Sequence, residues 1–180
     1  MNEETKIREI ATYTSKCPIC GRDLVIKDYR YNIPYYGDII ISVAKCENCG
    51  FRHTDVLTIS NGGPRRIIYR VEEPEDSNAL LIKSSTCRIE IPELGVTIEP
   101  GTYSQGYIST IEGLILDVIE VTEYLCSQED SPKEKCHEVM KLLEKARNNE
   151  TSYTVIIDDH LGICDIVNPR KKPIYQKLHA

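Results

Sequence analysis

Two Cys-x-x-Cys pairs carry the strongest chemical signal in this sequence. Cys17 and Cys20 form the first, Cys46 and Cys49 the second, and residues 21–45 lie between them. The surroundings echo each other, Lys16-Cys17-Pro18-Ile19-Cys20-Gly21-Arg22 against Lys45-Cys46-Glu47-Asn48-Cys49-Gly50-Phe51-Arg52. Two cysteines three positions apart in a tight turn aim both sulfurs at one ion. Gly21 and Gly50 allow the left-handed backbone by which the chain leaves each turn. Two such knuckles supply four thiolates in a tetrahedron, the donor set of one structural Zn²⁺, and a closed four-thiolate shell leaves no open position for a substrate. A rubredoxin-type iron centre uses the same donors. Lys16, Arg22, Lys45 and Arg52 flank the thiolates and offset part of their charge.

The other chemistry-bearing residues read as structural. Cys87, Cys126, Cys136 and Cys164 show no ligand spacing and are expected as small buried side chains. A Cys126–Cys136 bond across a loop is the alternative, if the source is a hyperthermophile. His53 follows the second knuckle, but four cysteines already fill the shell. His137 and His179 read as solvent-facing, and Asp158-Asp159-His160 as a polar hairpin turn. No P-loop, HExxH, GxSxG or GxGxxG pattern occurs. Without a nucleophile, base or open metal position, the chain is expected to bind rather than catalyse.

Elements must hold these residues in place. Arg22–Tyr31 and Asp38–Ala44 read as strands between the knuckles, a zinc ribbon. Their connecting loop, residues 31–37, carries Tyr31, Tyr35 and Tyr36 beside Pro34. So small a module cannot bury all three rings, which makes them candidate partner-binding residues. Residues 53–59 read as a strand leaving the ribbon, and Ser60-Asn61-Gly62-Gly63-Pro64 breaks it. The expected domains are 1–62, the ribbon, and 63–180, a β-rich domain.

In that second domain Arg65–Val71, Ala79–Lys83, Thr86–Ile91 and Val96–Glu99 read as strands, which suggests a small barrel, sandwich or β-helix. Glu93 sits between the breakers Pro92 and Gly95, as a solvated turn carboxylate or a further partner contact. The period then becomes helical. Ser109-Thr110-Ile111-Glu112 and Ser131-Pro132-Lys133-Glu134 read as capping boxes for two antiparallel helices, an insertion at about 109–149. Tyr153–Ile157 and Ile163–Val167 return to strand, as a hairpin. The fold class is therefore mainly β with an α insertion (α+β).

The chain has 180 residues and a formal charge of −6. Residues 64–130 hold 13 Asp/Glu against 5 Lys/Arg, whereas the tail carries Arg170, Lys171, Lys172 and Lys177. The acidic balance argues against binding nucleic acid or an anionic membrane with the whole surface. The basic tail, read as loosely held, keeps an RNA or ribosome contact as the alternative function. No apolar run is long enough to span a bilayer. The charged opening residues lack the apolar stretch of a secretory leader, so a cytoplasmic location is expected. The aromatic set is 11 Tyr, 1 Phe and no Trp, rings that want a polar partner or water at one end.

Over nearly its whole length the sequence resembles the ZPR-type zinc-finger proteins. The resemblance rests on Cys17-Pro18-x-Cys20-Gly21, Ile33-Pro34-Tyr35-Tyr36, the strand Ile39–Ser42, Cys46-Glu47-Asn48-Cys49-Gly50 and Gly62-Gly63. It continues through Lys83-Ser84-Ser85-Thr86, Ile91-Pro92-Glu93-Leu94, Pro100-Gly101-Thr102 and Thr110-Ile111-Glu112-Gly113-Leu114. Eukaryotic members carry two such modules; this chain has one and looks like the archaeal single-module type. The family's C-terminal hairpin has Asp-Pro and then Gly-Asn-Ser, where this chain has Asp159-His160 and Gly162-Ile163-Cys164. The resemblance implies one structural Zn²⁺, a zinc ribbon followed by a β-helix-like or barrel-like domain with an inserted helical hairpin, and a binding protein rather than an enzyme. It also implies a chaperone-like adaptor whose partner is translation elongation factor 1-alpha; Tyr31, Tyr35, Tyr36 and Glu93 are the candidate contacts that the residues themselves suggest.

Overall fold

The computed structural model describes residues 7–33, 37–58, 63–167 and 169–178. Four strands come first: β1 (Arg8–Lys16), β2 (Asp23–Ile33), β3 (Gly37–Lys45) and β4 (Arg52–Thr58). They form one antiparallel sheet in chain order. The sequence predicts β2, β3 and β4 but not β1. That strand is exposed along almost its whole length, so it lacks the alternation that marks a half-buried strand. Backbone pairing alone defines it, from Arg8 opposite Arg30 to Lys16 opposite Asp23.

The rest of the chain builds two further sheets. β5 (Arg65–Val71), a 3-10 turn (Pro74–Asn78), β6 (Leu80–Lys83), β7 (Arg88–Ile91), β8 (Val96–Ile98) and β9 (Tyr107–Thr110) lead into two helices. These are α1 (Ile111–Ser127) and α2 (Lys133–Arg147), and β10 (Tyr153–Asp159), β11 (Asp165–Val167) and β12 (Ile174–Lys177) follow. One sheet runs β12-β5-β10-β7-β8, the other β11-β6-β9. Period-two alternation in β5 turns Ile67, Tyr69 and Val71 inward. They share one core with Leu81 of β6, Ile89 of β7, Val155 of β10 and Ile166 of β11. Ile111, Leu114, Ile115, Val118 and Ile119 of α1 complete that core. The fold is mainly β with two inserted helices.

The structure corrects several local readings. Ser109 does not cap α1, because its backbone is still in the β6–β9 ladder opposite Leu81. Thr110 is the cap, its Oγ1 accepting the Gly113 N–H at 3.0 Å. Ser131 does not cap α2 either. Its hydroxyl donates to the Cys126 and Gln128 carbonyls, which the end of α1 leaves without helical partners. β10 and β11 are no hairpin, since they belong to different sheets. Asp159 directs that crossing, fully buried and accepting the N–H groups of Leu161, Gly162 and Cys164. The tail is docked rather than loose: β12 pairs with β5, Arg170 meets Glu75, and Lys171 meets Glu72 and Asp76. Cys87 and Cys164 are buried as expected but bonded to each other, and Cys126 is bonded to Cys136.

The three-stranded sheet is covered on both faces. Leu81 and Ile166 face the main core, whereas Ile82 and Val167 pack against Ile33, Ile39 and Val56 of the four-stranded sheet. Polar contacts pin this seam. Asp55 accepts the Ser85 N–H at 2.9 Å and the Ser85 hydroxyl at 2.6 Å, and the Gly106 N–H donates to the Thr54 carbonyl at 2.9 Å. Gly106 must be glycine for this approach. A Cβ there would lie 2.5 Å from both Asp55 Oδ1 and the Val56 nitrogen. Gly106→Ala is therefore expected to destabilise the protein by about 1–3 kcal/mol, the usual cost of forcing atoms into a packed site. Denaturant unfolding followed by circular dichroism measures it, and an unchanged midpoint would show that the seam gives way freely.

Candidate metal centre

Each Cys pair sits where a strand ends and the next begins, Cys17 and Cys20 between β1 and β2, Cys46 and Cys49 between β3 and β4. The two turns are built alike. The Cys17 N–H donates to the Arg22 carbonyl at 2.8 Å and the Gly21 N–H to the Cys17 carbonyl at 2.9 Å. In the second knuckle Cys46 and Gly50 donate to Phe51 and Cys46, both at 2.9 Å. Gly21 and Gly50 have φ of 70° and 74°, the left-handed region that glycine enters without steric cost.

The pairing of β2 with β3 brings the two knuckles face to face. Cys17 Sγ lies 3.6 Å from Cys49 Sγ, and Cys20 Sγ 3.6 Å from Cys46 Sγ. All four ligand atoms lie within 4.8 Å of one another. Zinc–sulfur bonds of about 2.3 Å in a tetrahedron require sulfur separations of about 3.8 Å, so the cluster has the size of a zinc shell. Cys17 and Cys46 are buried and Cys49 is exposed.

The thiols act on one another's protons. The Arg22 N–H donates towards Cys20 and is the largest influence that pulls its thiol down to about 6. At Cys49 the Phe51 N–H works the same way, but partial loss of water around the sulfur and hydrogen bonds to the three other sulfurs outweigh it and push that thiol up to about 12. Four clustered sulfurs that share protons suit a divalent ion that displaces those protons. Cys17, Cys20, Cys46 and Cys49 would hold Zn²⁺ as a closed shell that supplies structure.

The candidate partner residues are scattered. Tyr31 is half-buried and packs against the seam between the four-stranded and three-stranded sheets. Tyr35 and Tyr36 lie outside the described residues. Glu93 is engaged within the chain by Arg70 and by the Thr154 N–H and hydroxyl. Burial pushes its carboxyl up, but the Thr154 N–H and the nearby Arg70 outweigh that and hold it below the ordinary range. His137 and His160 are exposed. His179 lies outside the described residues.

Sequence reasoning missed two features. One is the Asp55–Ser85 seam, whose signal is the Lys83–Thr86 motif itself. The other is an apolar face on α1. Val121, Tyr124 and Leu125, spaced as one helix face, are 57%, 68% and 57% exposed. Apolar residues of α1 continue past Ile119, the last that the helix contributes to the core. No helix among the described residues is long and apolar enough to cross a membrane.

Comparison with known proteins agrees with this architecture. A family model for the ZPR1 zinc-finger domain matches residues 9–61, and one for the ZPR1 jelly-roll domain matches residues 75–180. Two antiparallel sheets around one core fit the jelly-roll description. ZPR1-like proteins of Methanocaldococcus jannaschii and Pyrococcus horikoshii are each 32% identical, over 84% and 93% of this chain and 78% and 77% of their own lengths. They share the single-module organisation. The zinc finger chaperone zpr1 of Schizosaccharomyces pombe is 32% identical over 88% of this chain, which covers 36% of that protein. The chain belongs to the ZPR1 zinc-finger family.

Removing the metal should unfold the ribbon, because zinc binding at four-thiolate sites is worth roughly 10–16 kcal/mol and a whole domain is stable by only about 5–15 kcal/mol. Chelation should release one zinc per chain and abolish the amide protection of β2 and β3 in hydrogen exchange, with Cys46→Ser doing the same. Full protection after complete metal loss would refute a structural role.

Proposed function

We propose, from its membership of the ZPR1 family, that this chain is a zinc-dependent protein-interaction factor, a chaperone-like adaptor that acts in the cytoplasm and whose partner is translation elongation factor 1-alpha. The single observation that carries the reading is the apolar face of α1, left uncovered by the chain's own core. Exposed apolar residues grouped on one face mark a protein-binding surface. The name of the fission yeast relative, a zinc finger chaperone, points the same way for that protein.

The zinc ribbon has a supporting part in this reading. A closed thiolate shell gives rigidity and no catalytic position, which favours binding over catalysis. The ribbon sheet packs against the three-stranded sheet through Ile33, Ile39 and Val56. The 31–37 loop is proposed to join the contact through Tyr31, Tyr35 and Tyr36. The nucleic-acid alternative loses support, because Arg170 and Lys171 are engaged by Glu75, Glu72 and Asp76.

Calorimetric titration of the zinc-loaded protein with elongation factor 1-alpha from the same organism tests the proposal. The expected result is a dissociation constant of about 1 μM or tighter, some −8 kcal/mol, lost when the zinc is removed. No heat from two folded proteins would overturn it.

A further inference from the structure

Beside the exposed face of α1 lies a groove of 560 Å³ between α1, β8 and the 101–106 segment. Its wall is mainly apolar, with Val96, Ile98, Leu114, Val118, Val121 and Leu125 among the lining residues. It continues into a second concavity of 390 Å³, which shares Thr122, Leu125 and Val139 and reaches the bonded Cys126 and Cys136. The two concavities adjoin along α1 and reach α2 at Lys135, Cys136 and Val139. Their joint extent has room for several apolar side chains of a polypeptide segment.

The groove also holds a cation that lacks an anion. Lys83 lines it and is only 3% exposed. Its ammonium donates to the carbonyls of Ser84 and Gln105 and to the Ser104 hydroxyl, at 3.1, 3.3 and 3.3 Å, and lies 5.4 Å from the centre of the Tyr107 ring. Every one of these partners is neutral. Among the described residues Lys83 makes no ion pair, and Asp55, which acts on it through space, spends its carboxylate on Ser85 and Val56. Burial lowers the Lys83 pKa, and Asp55 opposes the shift. A charged group kept out of water without an opposite charge is costly.

Resting on the protein-partner reading above, we infer that this groove docks a segment of the partner that carries one carboxylate among apolar side chains, the carboxylate meeting the Lys83 ammonium. The incoming oxygen replaces the long Ser104 contact. The apolar side chains of the segment cover Val121 and Leu125. Asp117, also on the wall, has its carboxyl pushed up by burial and by Glu120, which makes it easier to neutralise beside an anionic guest. A phosphate backbone is the wrong occupant, because the wall is apolar and α1 carries Glu112, Asp117, Glu120 and Glu123 with no basic residue.

The test uses the full zinc-loaded chain and two labelled heptapeptides of leucine and alanine, one with a central glutamate and the other with glutamine there. In fluorescence polarisation the glutamate peptide should bind about tenfold tighter, the equivalent of one charge-assisted hydrogen bond. Lys83→Met should bring the two peptides to parity. Because Lys83 also braces the 101–106 segment, Leu125→Arg serves as a second variant at an exposed position and should weaken both peptides about tenfold. Equal binding of the two peptides to the parent, or parent-like binding by Leu125→Arg, would overturn the inference. So would the absence of binding at about 1 mM, a free energy near −4 kcal/mol. Titrating the same variants with elongation factor 1-alpha separates the two readings. If the peptides discriminate but the factor does not bind, the groove stands and the partner assignment falls. If the factor binds the parent and Leu125→Arg alike, the groove falls and the partner assignment stands.

Discussion

Four sulfur atoms hold together a sheet that has almost no core of its own. The cluster next to the knuckles contains Leu24, Ala44, Cys17 and Cys46 with Cys20, Ile26 and Phe51 against it, so the cysteines are themselves much of its apolar content. At about 25 cal/mol per Å² of buried apolar surface, so few side chains cannot offset the conformational entropy of four strands, roughly 1–2 kcal/mol for each ordered backbone residue. A bound metal would supply what the core cannot. It would also fix the directions in which β2 and β3 leave the two knuckles.

One face of this sheet passes the constraint to the rest of the molecule. Ile33 and Ile39 meet Ile82 and Val167 of the three-stranded sheet, and Leu81, one residue earlier in β6, points into the main core. A strand read by alternation thus connects two hydrophobic layers. Along the same seam a half-buried carboxylate and a glycine do what bulk hydrophobicity cannot, which is to set one relative position. Asp55 pairs with two groups of Ser85, and Gly106 removes the one side-chain atom that would hold the layers apart. Burial without such contacts would let the sheets slide. The ribbon and the β domain therefore present a common surface, and a partner that grips one feels the geometry of the other.

What was legible in the sequence follows from how local each determinant is. The knuckles were fully legible, because two cysteines and a glycine within five residues encode turn, ligand and exit direction together. β5 was legible to the residue, since Ile67, Tyr69 and Val71 alternate with charged or outward-facing neighbours. β1 was not, because an exposed strand carries no burial pattern and exists through its partner's hydrogen bonds. The capping residues were misplaced because Ser109 and Ser131 have suitable side chains but prior commitments, one to a strand ladder and one to the end of α1. The Cys87–Cys164 contact joins residues 77 positions apart, a distance over which spacing in sequence carries no information. Lys83 stood in a recognised motif, yet only the fold shows that this cation is buried beside a groove.

The charge distribution separates the parts of the surface that are settled from the part that is not. Six of the 13 acids in residues 64–130, those on or beside the five-stranded sheet, are matched inside the molecule. Arg88 takes Glu90 and Glu99, Arg70 takes Glu93, Arg170 takes Glu75, and Lys171 takes Glu72 and Asp76. Exposed pairs of this kind stabilise little, but together they leave the outer face of the five-stranded sheet and its docked tail close to neutral. α1 differs from that sheet. Among the described residues its four acids form no ion pair, and the same helix exposes Val121, Tyr124 and Leu125. Unmatched charge and uncovered apolar surface on one element have a common explanation in a second molecule. Apolar contact would supply affinity there, and the acids would disfavour a polyanion such as nucleic acid. The four-cysteine site, remote in sequence from that helix, would contribute, once metal is bound, by holding fixed the layer against which the surface is built.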